Sequence, residues 1–401
     1  VTDPHMPQLP ADRRLASLDL TRGVAVMGIL AANIVAFGQP FIAYTWPGGF
    51  ATPPGTADPW LWAAQFVVID GKMRGLFSLL FGAGMALFAE RAAARGQGDL
   101  LQLRRLAWLF AFGLLHFYFL WRGDILASYA VCGLLVLPML RWSPVTQIGA
   151  AMTGYLFGAV SSALVFGGWW ASGTDRAGPA SEHLDAQRET AIAHGGGYVE
   201  YVTHAFAAHR WDWLDGISQS FTETVPLMLL GAALYRLGLF DGRIDRCAQA
   251  RWALAAVVIG SVLTVLIAAW AMRDGLSYTG TLLAQYGLQP VARLPVIVGF
   301  AALLAPWRPK SGAWFAPRVA AAGRMAFSNY IFTSVVMLLV FQALGLFGRL
   351  DRMALYGIVM VTCVAMLGWS QPWLARFRYG PLEWLWRSLT YGKRMPMRKQ
   401  A

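Results

Sequence analysis

The sequence predicts an all-α, polytopic integral membrane bundle of about ten transmembrane helices, with both termini inside and one larger insert on the outer face. Three observations carry this. Of the 401 residues, 57% are hydrophobic and only 13% charged, about half the charged fraction usual in soluble domains. Apolar runs near 20 residues recur from end to end, the length that an α-helix needs to cross a bilayer. Alternation over ten-residue segments is absent, which argues against a β-barrel.

The elements follow in order, as one membrane domain over 1–401. Residues 1–19 are polar and read as a cytoplasmic lead. Spans one to five are expected over 20–42, 74–90, 103–121, 124–140 and 145–170. A polar insert over 171–215 is expected to form a partly helical outer cap, too small for a core of its own. Spans six to ten are expected over 216–236, 250–272, 281–305, 325–346 and 352–370, and 371–401 is a basic cytoplasmic tail. The Pro- and Gly-rich start of 43–73 predicts irregular chain, followed by a short interfacial helix carrying Trp60, Trp62 and Phe66.

Charge sets the orientation. With the N-terminus inside, the inner loops and termini hold Arg13, Arg14, Arg22, Arg91, Arg95, Arg104, Arg105, Arg141, Arg236, Arg243, Arg246, Arg251, Arg308, Lys310, Arg318, Arg324 and the basic tail. The outer segments hold fewer, among them Lys72, Arg74, Arg122, Arg176 and Arg349. The net charge of +12 is thus a positive-inside signal with attraction to anionic lipid, not a nucleic-acid footprint. Cys132, Cys247 and Cys363 show no disulfide or metal spacing, and no cleavable signal segment is evident.

Ionisable residues inside apolar runs are costly and mark function. His116 is the one histidine within a span, and Asp124 opens the next helix after Arg122. A tight hairpin would bring Asp124 toward His116, giving a general base with an orienting carboxylate; the plainer reading makes Asp124 an N-cap. Arg293 lies between Pro290 and Pro295 in span eight and needs an anion, either a ligand or Glu223 of span six. Lys72 could bind an anionic group or snorkel at the interface. Gly82 and Gly84 permit close helix approach, and Asn33 is an amide halfway along span one. Arg22, Arg104, Arg105 and Arg324 gather at the inner face, where they could meet a phosphate. His204 and Glu200, with His194 and His209, form a loose group without specific ligand spacing, so no metal is expected.

The motifs LDLTRGVAVMGILAAN at Leu18–Asn33, LFSLLFGAG at Leu76–Gly84, RGDILASYA in the Arg104–Gly133 hairpin, GRMAFSNYI at Gly323–Ile331 and GPLEWLWRSLT at Gly380–Thr390 resemble the YeiB-like family of bacterial membrane proteins, domain of unknown function 418. That family looks like a branch of the transmembrane acyltransferase superfamily, with the acyltransferase-3 proteins and the heparan-alpha-glucosaminide N-acetyltransferases. The resemblance implies an enzyme of the bacterial inner membrane that takes an acyl group from cytoplasmic acyl-CoA to a small-molecule or carbohydrate-like acceptor outside. Two positions depart from the relatives. Asn33 stands where acyltransferase-3 proteins have histidine, and residues 34–73 hold none of the outer-loop histidine of the glucosaminide enzymes. His116 with Asp124 is then the catalytic candidate by position, with Arg22, Arg104, Arg105 and Arg324 for acyl-CoA and Arg293, Glu223, Lys72, Arg122 and Asn33 for the substrate. A transporter of a small or lipidic anion using Arg293, and a noncatalytic scaffold, are the alternatives. Membrane lipids are the other expected partners, and a homo-oligomer is left open.

Overall fold

The computed structural model describes residues 11–399, apart from positions 54, 97, 242 and 308–313, with the side chains of 11–15 and 219 also left aside. The first ten residues of the lead, and Arg308 and Lys310 of the charge pattern, lie outside the described residues. The described chain is helical throughout, with a single isolated bridge between Phe377 and Arg398. It is an α-helical, multi-pass membrane protein: eight helical stretches are long and apolar enough to cross a bilayer.

The first helix, α1, runs Ala11–Gly38, so it starts inside the expected polar lead and stops earlier than position 42. Pro40 ends it, since the residue before a proline is pushed out of the helical region. Short 3₁₀ turns at Phe41–Tyr44 and Pro47–Gly49 follow, as Pro and Gly predict. Helix α2 (Asp58–Val68) exposes Trp60 but buries Trp62 and Phe66 against α10 (Arg246–Arg273). It is therefore packed on the bundle, rather than laying all three aromatics in the interface.

Helices α3 (Lys72–Ala93), α4 (Leu100–Phe119), α5 (Leu126–Met139) and α6 (Pro144–Ser172) follow. The Ser143 hydroxyl accepts from the Thr146 amide at 3.1 Å to start α6, with Pro144 at the first position where its missing N–H costs nothing. The insert is two helices, α7 (Ala180–Gly195) and α8 (Tyr198–Ala208), and α9 (Asp212–Arg236) begins within it. Next come α10, α11 (Tyr278–Leu282), a π-helical stretch at Leu283–Leu288 and α12 (Gln289–Leu304). The π-turn and Pro290 together interrupt the regular hydrogen-bond ladder of expected span eight. Helices α13 (Phe315–Arg324), α14 (Ala326–Leu338, with a π-turn to Ala343), α15 (Arg352–Arg376) and α16 (Pro381–Tyr391) complete the chain.

Two of the ten expected spans fall short on these criteria. Helix α5 has 14 residues, because Asp124 and its loop take the first turn. Helix α9 is long but carries Asp212, Asp215, Glu223 and Arg236, and it is absent from the eight apolar stretches.

Glycine sets the two closest crossings. A Cβ on Gly82 would lie 1.9 Å from the Met228 carbonyl oxygen, and one on Gly231 1.9 Å from that of Leu79, so α3 and α9 meet backbone to backbone. Likewise, a Cβ on Gly323 would lie 1.8 Å from the Asp19 oxygen, and one on Gly23 2.0 Å from the Val319 oxygen, which seats α13 on α1. Close approach through small residues is how membrane helices gain packing where burial from water supplies little. Gly231→Leu is expected to cost at least ~1–3 kcal/mol, since backbone cannot yield as a side chain can. A lowered melting temperature of the detergent-purified protein checks this.

Candidate active site

The Arg104–Gly133 hairpin closes as a tight loop. The His116 carbonyl accepts from the amides of Leu120 and Trp121 at 2.9 Å each, ending α4. Asp124 then turns inward with both carboxylate oxygens engaged. Oδ2 accepts from the Ala127 amide at 2.8 Å, starting α5, and Oδ1 lies 2.9 Å from His116 Nδ1. The two readings of Asp124, helix cap and histidine partner, are thus both satisfied by one side chain. A carboxylate can only accept, so Nδ1 carries a proton, and in the neutral imidazole Nε2 presents its lone pair. Nε2 lies 2.8 Å from the Ser334 hydroxyl of α14, which also reaches the Tyr330 carbonyl at 3.4 Å. His116 and Ser334 are each 1% exposed. The Tyr330 ring packs over the imidazole, with centroids 5.1 Å apart.

This Asp124–His116–Ser334 relay lies between two cavities. The larger, about 490 Å³, opens toward the ends of α1, α3, α4, α13 and α16 where arginines gather. Its rim carries Arg22, Arg91, Arg105, Arg324, Arg378 and Arg387 against Asp19 and Glu383, and its walls are apolar, with Phe77, Leu80, Phe81 and Leu109. Its deep end reaches Ile125, Tyr129 and Tyr330, the neighbours of Asp124 and His116. Arg105 is held over the Trp386 ring at 4.6 Å and the Phe88 ring at 5.0 Å. The smaller pocket, about 70 Å³, lies beyond Trp121 under the α7–α8 cap and is lined by Arg122, Glu189, Tyr201, His204 and His209.

Of the four arginines expected at the inner face, three line the large cavity. Arg104 does not: it is exposed, because one residue along a helix turns a side chain by about 100° and Arg105 takes the inward position. Gly84 borders the cavity beside Arg22, while Gly82 makes the α9 crossing. Asn33 is half-buried and lines neither cavity.

Arg293 is 3% exposed and its Nη2 donates to Glu223 Oε2 at 2.7 Å, while Nη1 donates to Gln289 Oε1 at 3.0 Å. Arg74 donates to the same Glu223 oxygen at 2.5 Å. The protein partner expected for Arg293 is therefore present, shared with a second arginine. Lys72 corrects its reading as an interfacial or ligand-binding cation. It is fully buried, and its Nζ donates to the carbonyls of Phe66 at 2.8 Å and Asp70 at 3.4 Å. Its partners are carbonyls at the end of α2 and in the loop that leads to α3, so its charge is held inside the bundle and not at the interface.

Arg122 is the hub of the cap. It pairs with Asp185 at 3.3 Å and with Glu189, and stacks over Phe41 at 4.2 Å. His194 and Glu200 stand apart from the other cap histidines: His194 Nε2 bonds to the Phe347 carbonyl at 2.8 Å. It is Asp185, from the preceding helix, that joins His204 and His209. Burial would raise the Asp185 carboxyl, but hydrogen bonds from His209 and Arg122 override it and hold the group at about 2. Burial likewise opposes protonation of His209, and its bonds to Asp185 and Asp212 outweigh that, pushing it up to about 9.

Ser334, Tyr330 and Glu383 escaped the sequence reading. The run SNYIFTS in an otherwise apolar span was the available signal, because Tyr330 and Ser334 are four residues apart and share a helix face.

Residues 234–393 match the family described as "Protein of unknown function (DUF418)". The chain is 32% identical over 393 residues to "Uncharacterized protein YeiB" of Escherichia coli (strain K12), covering 94% of this chain and 96% of that protein. It is 28% identical over 415 residues to "Uncharacterized protein YxaH" of Bacillus subtilis (strain 168), covering 97% of each.

Proposed function

This chain belongs to the DUF418 family, with YeiB among its members, and from that premise we propose that it is a membrane-embedded acyltransferase. It takes an acyl group from cytoplasmic acyl-CoA to an acceptor hydroxyl or amine at the opposite face of the bacterial inner membrane. The N-terminus and the arginine-rich cavity rim lie on the cytoplasmic side in this reading, as the positive-inside pattern suggests. The observation that carries it is the buried relay of Asp124, His116 and Ser334 between a basic-rimmed, apolar-walled cavity and a small, mostly apolar pocket that carries Arg122, Glu189 and two histidines. Arginines suit the phosphates of the donor, and the apolar walls suit its acyl chain.

In the chemical step His116 Nε2 takes the proton from the acceptor. The freed oxygen or nitrogen attacks the thioester carbonyl, the carbon–sulfur bond breaks, and the proton passes from His116 to the departing thiolate. Asp124 keeps the imidazole in the tautomer that leaves Nε2 basic, and stabilises the imidazolium while it lasts. Ser334 holds the position at Nε2 that the acceptor takes.

Purified protein given short-chain acyl-CoA should release free CoA thiol, read by a thiol-reactive chromophore, and faster when a membrane extract supplies acceptor. No release above background, with or without extract, would sink the reading. Ser334→Ala should slow release less than about tenfold, within the range of one neutral hydrogen bond. A deeper loss, matching that of a His116 variant, would make Ser334 itself the acyl carrier.

A further inference from the structure

The cap contains a second constellation that the acyl-transfer chemistry does not use. Asp185 of α7, His204 of α8 and His209 just beyond α8 bring one carboxylate oxygen and two imidazole nitrogens within 4.8 Å of one another. Asp185 Oδ1 lies 3.5 Å from His209 Nε2 and 3.9 Å from His204 Nε2. Tetrahedral zinc, with bonds of ~2.0–2.1 Å, holds its donor atoms ~3.4 Å apart, so a small closing motion would bring the three atoms onto one ion.

The surroundings of these donors point the same way. His209 Nδ1 lies 2.8 Å from Asp212 Oδ2, so Asp212 accepts the Nδ1 proton and orients the ring with Nε2 toward Asp185, where a bound cation would displace the Nε2 proton. A carboxylate behind a ligating histidine is the usual support of a metal-bound imidazole. Asp185 Oδ2 is held by Arg122 Nη1 at 3.3 Å, which leaves Oδ1 free for the cluster. His204 Nε2 is buried with no hydrogen-bond partner, an orphaned polar atom facing the same point. Arg122 Nη1 also lies 3.0 Å from both ring nitrogens of His209. With an ion at Nε2, Arg122 would keep Asp185 Oδ2 and its pairing with Glu189. Arg122 pairs with Asp185 and Glu189, and His209 with Asp185 and Asp212, so three carboxylates share two cationic side chains, and a dication that displaces the His209 proton would answer the remaining negative charge.

We propose that Asp185, His204 and His209 form a site for a divalent transition cation of the zinc class, which clips α7 to α8 over the smaller pocket. Two imidazoles and one carboxylate are borderline donors that suit zinc and its first-row neighbours better than calcium or magnesium. His204 and His209 both line the smaller pocket, and a fourth position is left to water or a pocket ligand.

The test uses full-length protein without a polyhistidine tag, purified in detergent. After dialysis against dilute zinc and then metal-free buffer, elemental analysis should find about one zinc per chain. Cobalt added to the chelator-stripped protein should give the visible absorption bands of a tetrahedral site, which zinc then bleaches. His204→Gln and Asp185→Asn should abolish stoichiometric binding. Asp212→Asn, which leaves all three donors in place, should weaken it about 10–100-fold. A wild-type protein that retains no zinc and gives no cobalt bands would overturn the site, as would unchanged binding by His204→Gln. Either result would leave the cluster as a hydrogen-bonded brace between the cap helices.

Discussion

His116→Ala should lose acyl transfer to background, a fall of at least ~10²–10⁴-fold if the imidazole is the general base. The variant also leaves Asp124 Oδ1 and the Ser334 hydroxyl without their partner, so its stability must be measured beside its activity. His116→Gln separates the two effects, because an amide can hydrogen-bond to both neighbours but cannot take a proton at neutral pH. Thiol release and thermal unfolding of both variants form the measurement. Turnover by His116→Gln near the wild-type rate would remove the imidazole from the chemistry. Loss of turnover with an unchanged unfolding profile would keep it there. Asp124→Asn should fall between the two, since an amide can hold the ring in place yet favours the wrong tautomer.

The second large effect concerns stability. Glu223→Ala should destabilise the protein by about 3–5 kcal/mol, the usual result of removing one partner from a buried ion pair. Glu223 Oε2 alone answers two guanidiniums, those of Arg74 and Arg293. Arg293 cannot swing away to water, because a Cβ on Gly71 would already lie 2.3 Å from its Nη1. A double variant, Glu223→Gln with Arg293→Met, should recover much of the loss, since it takes away the orphaned charge as well as the pair. Thermal denaturation in detergent reads all three proteins. If Glu223→Ala unfolds with the wild type, the arginines are being neutralised by something other than this carboxylate.

The membrane architecture was legible because apolar length is a one-dimensional signal. Wherever that signal was clean, as in α6 and α10, the expected and observed limits agree within a few residues, while α15 runs on from its expected end at 370 to Arg376. It blurred where polar groups are satisfied inside the bundle, as in α9 with Glu223. The hairpin could be read because His116 and Asp124 are eight residues apart and one turn of chain joins them. Ser334 could not, because it reaches His116 from 218 positions away, and serine is ordinary in a membrane helix. Lys72 was misread for a related reason: its position near a span end is the same for a snorkelling lysine and for one sealed under a loop. Asp185 was overlooked because α7 has to fold back over α8 before it meets the histidines.

Glu383 of α16 has a practical consequence for handling the protein. Its carboxylate accepts from the Phe327 amide at 2.8 Å and the Ser328 amide at 3.0 Å, and bonds to the Ser328 hydroxyl, so the first turn of α14 is completed by a side chain more than fifty residues downstream. That helix carries Tyr330 and Ser334 to the imidazole. Shortening the chain to its last long apolar helix would strip those amides of their acceptor and let the helix fray toward the reaction centre. Reporter fusions and truncations made before α16 would therefore behave as distal lesions of the centre, whereas a tag placed after Lys399 leaves this brace whole.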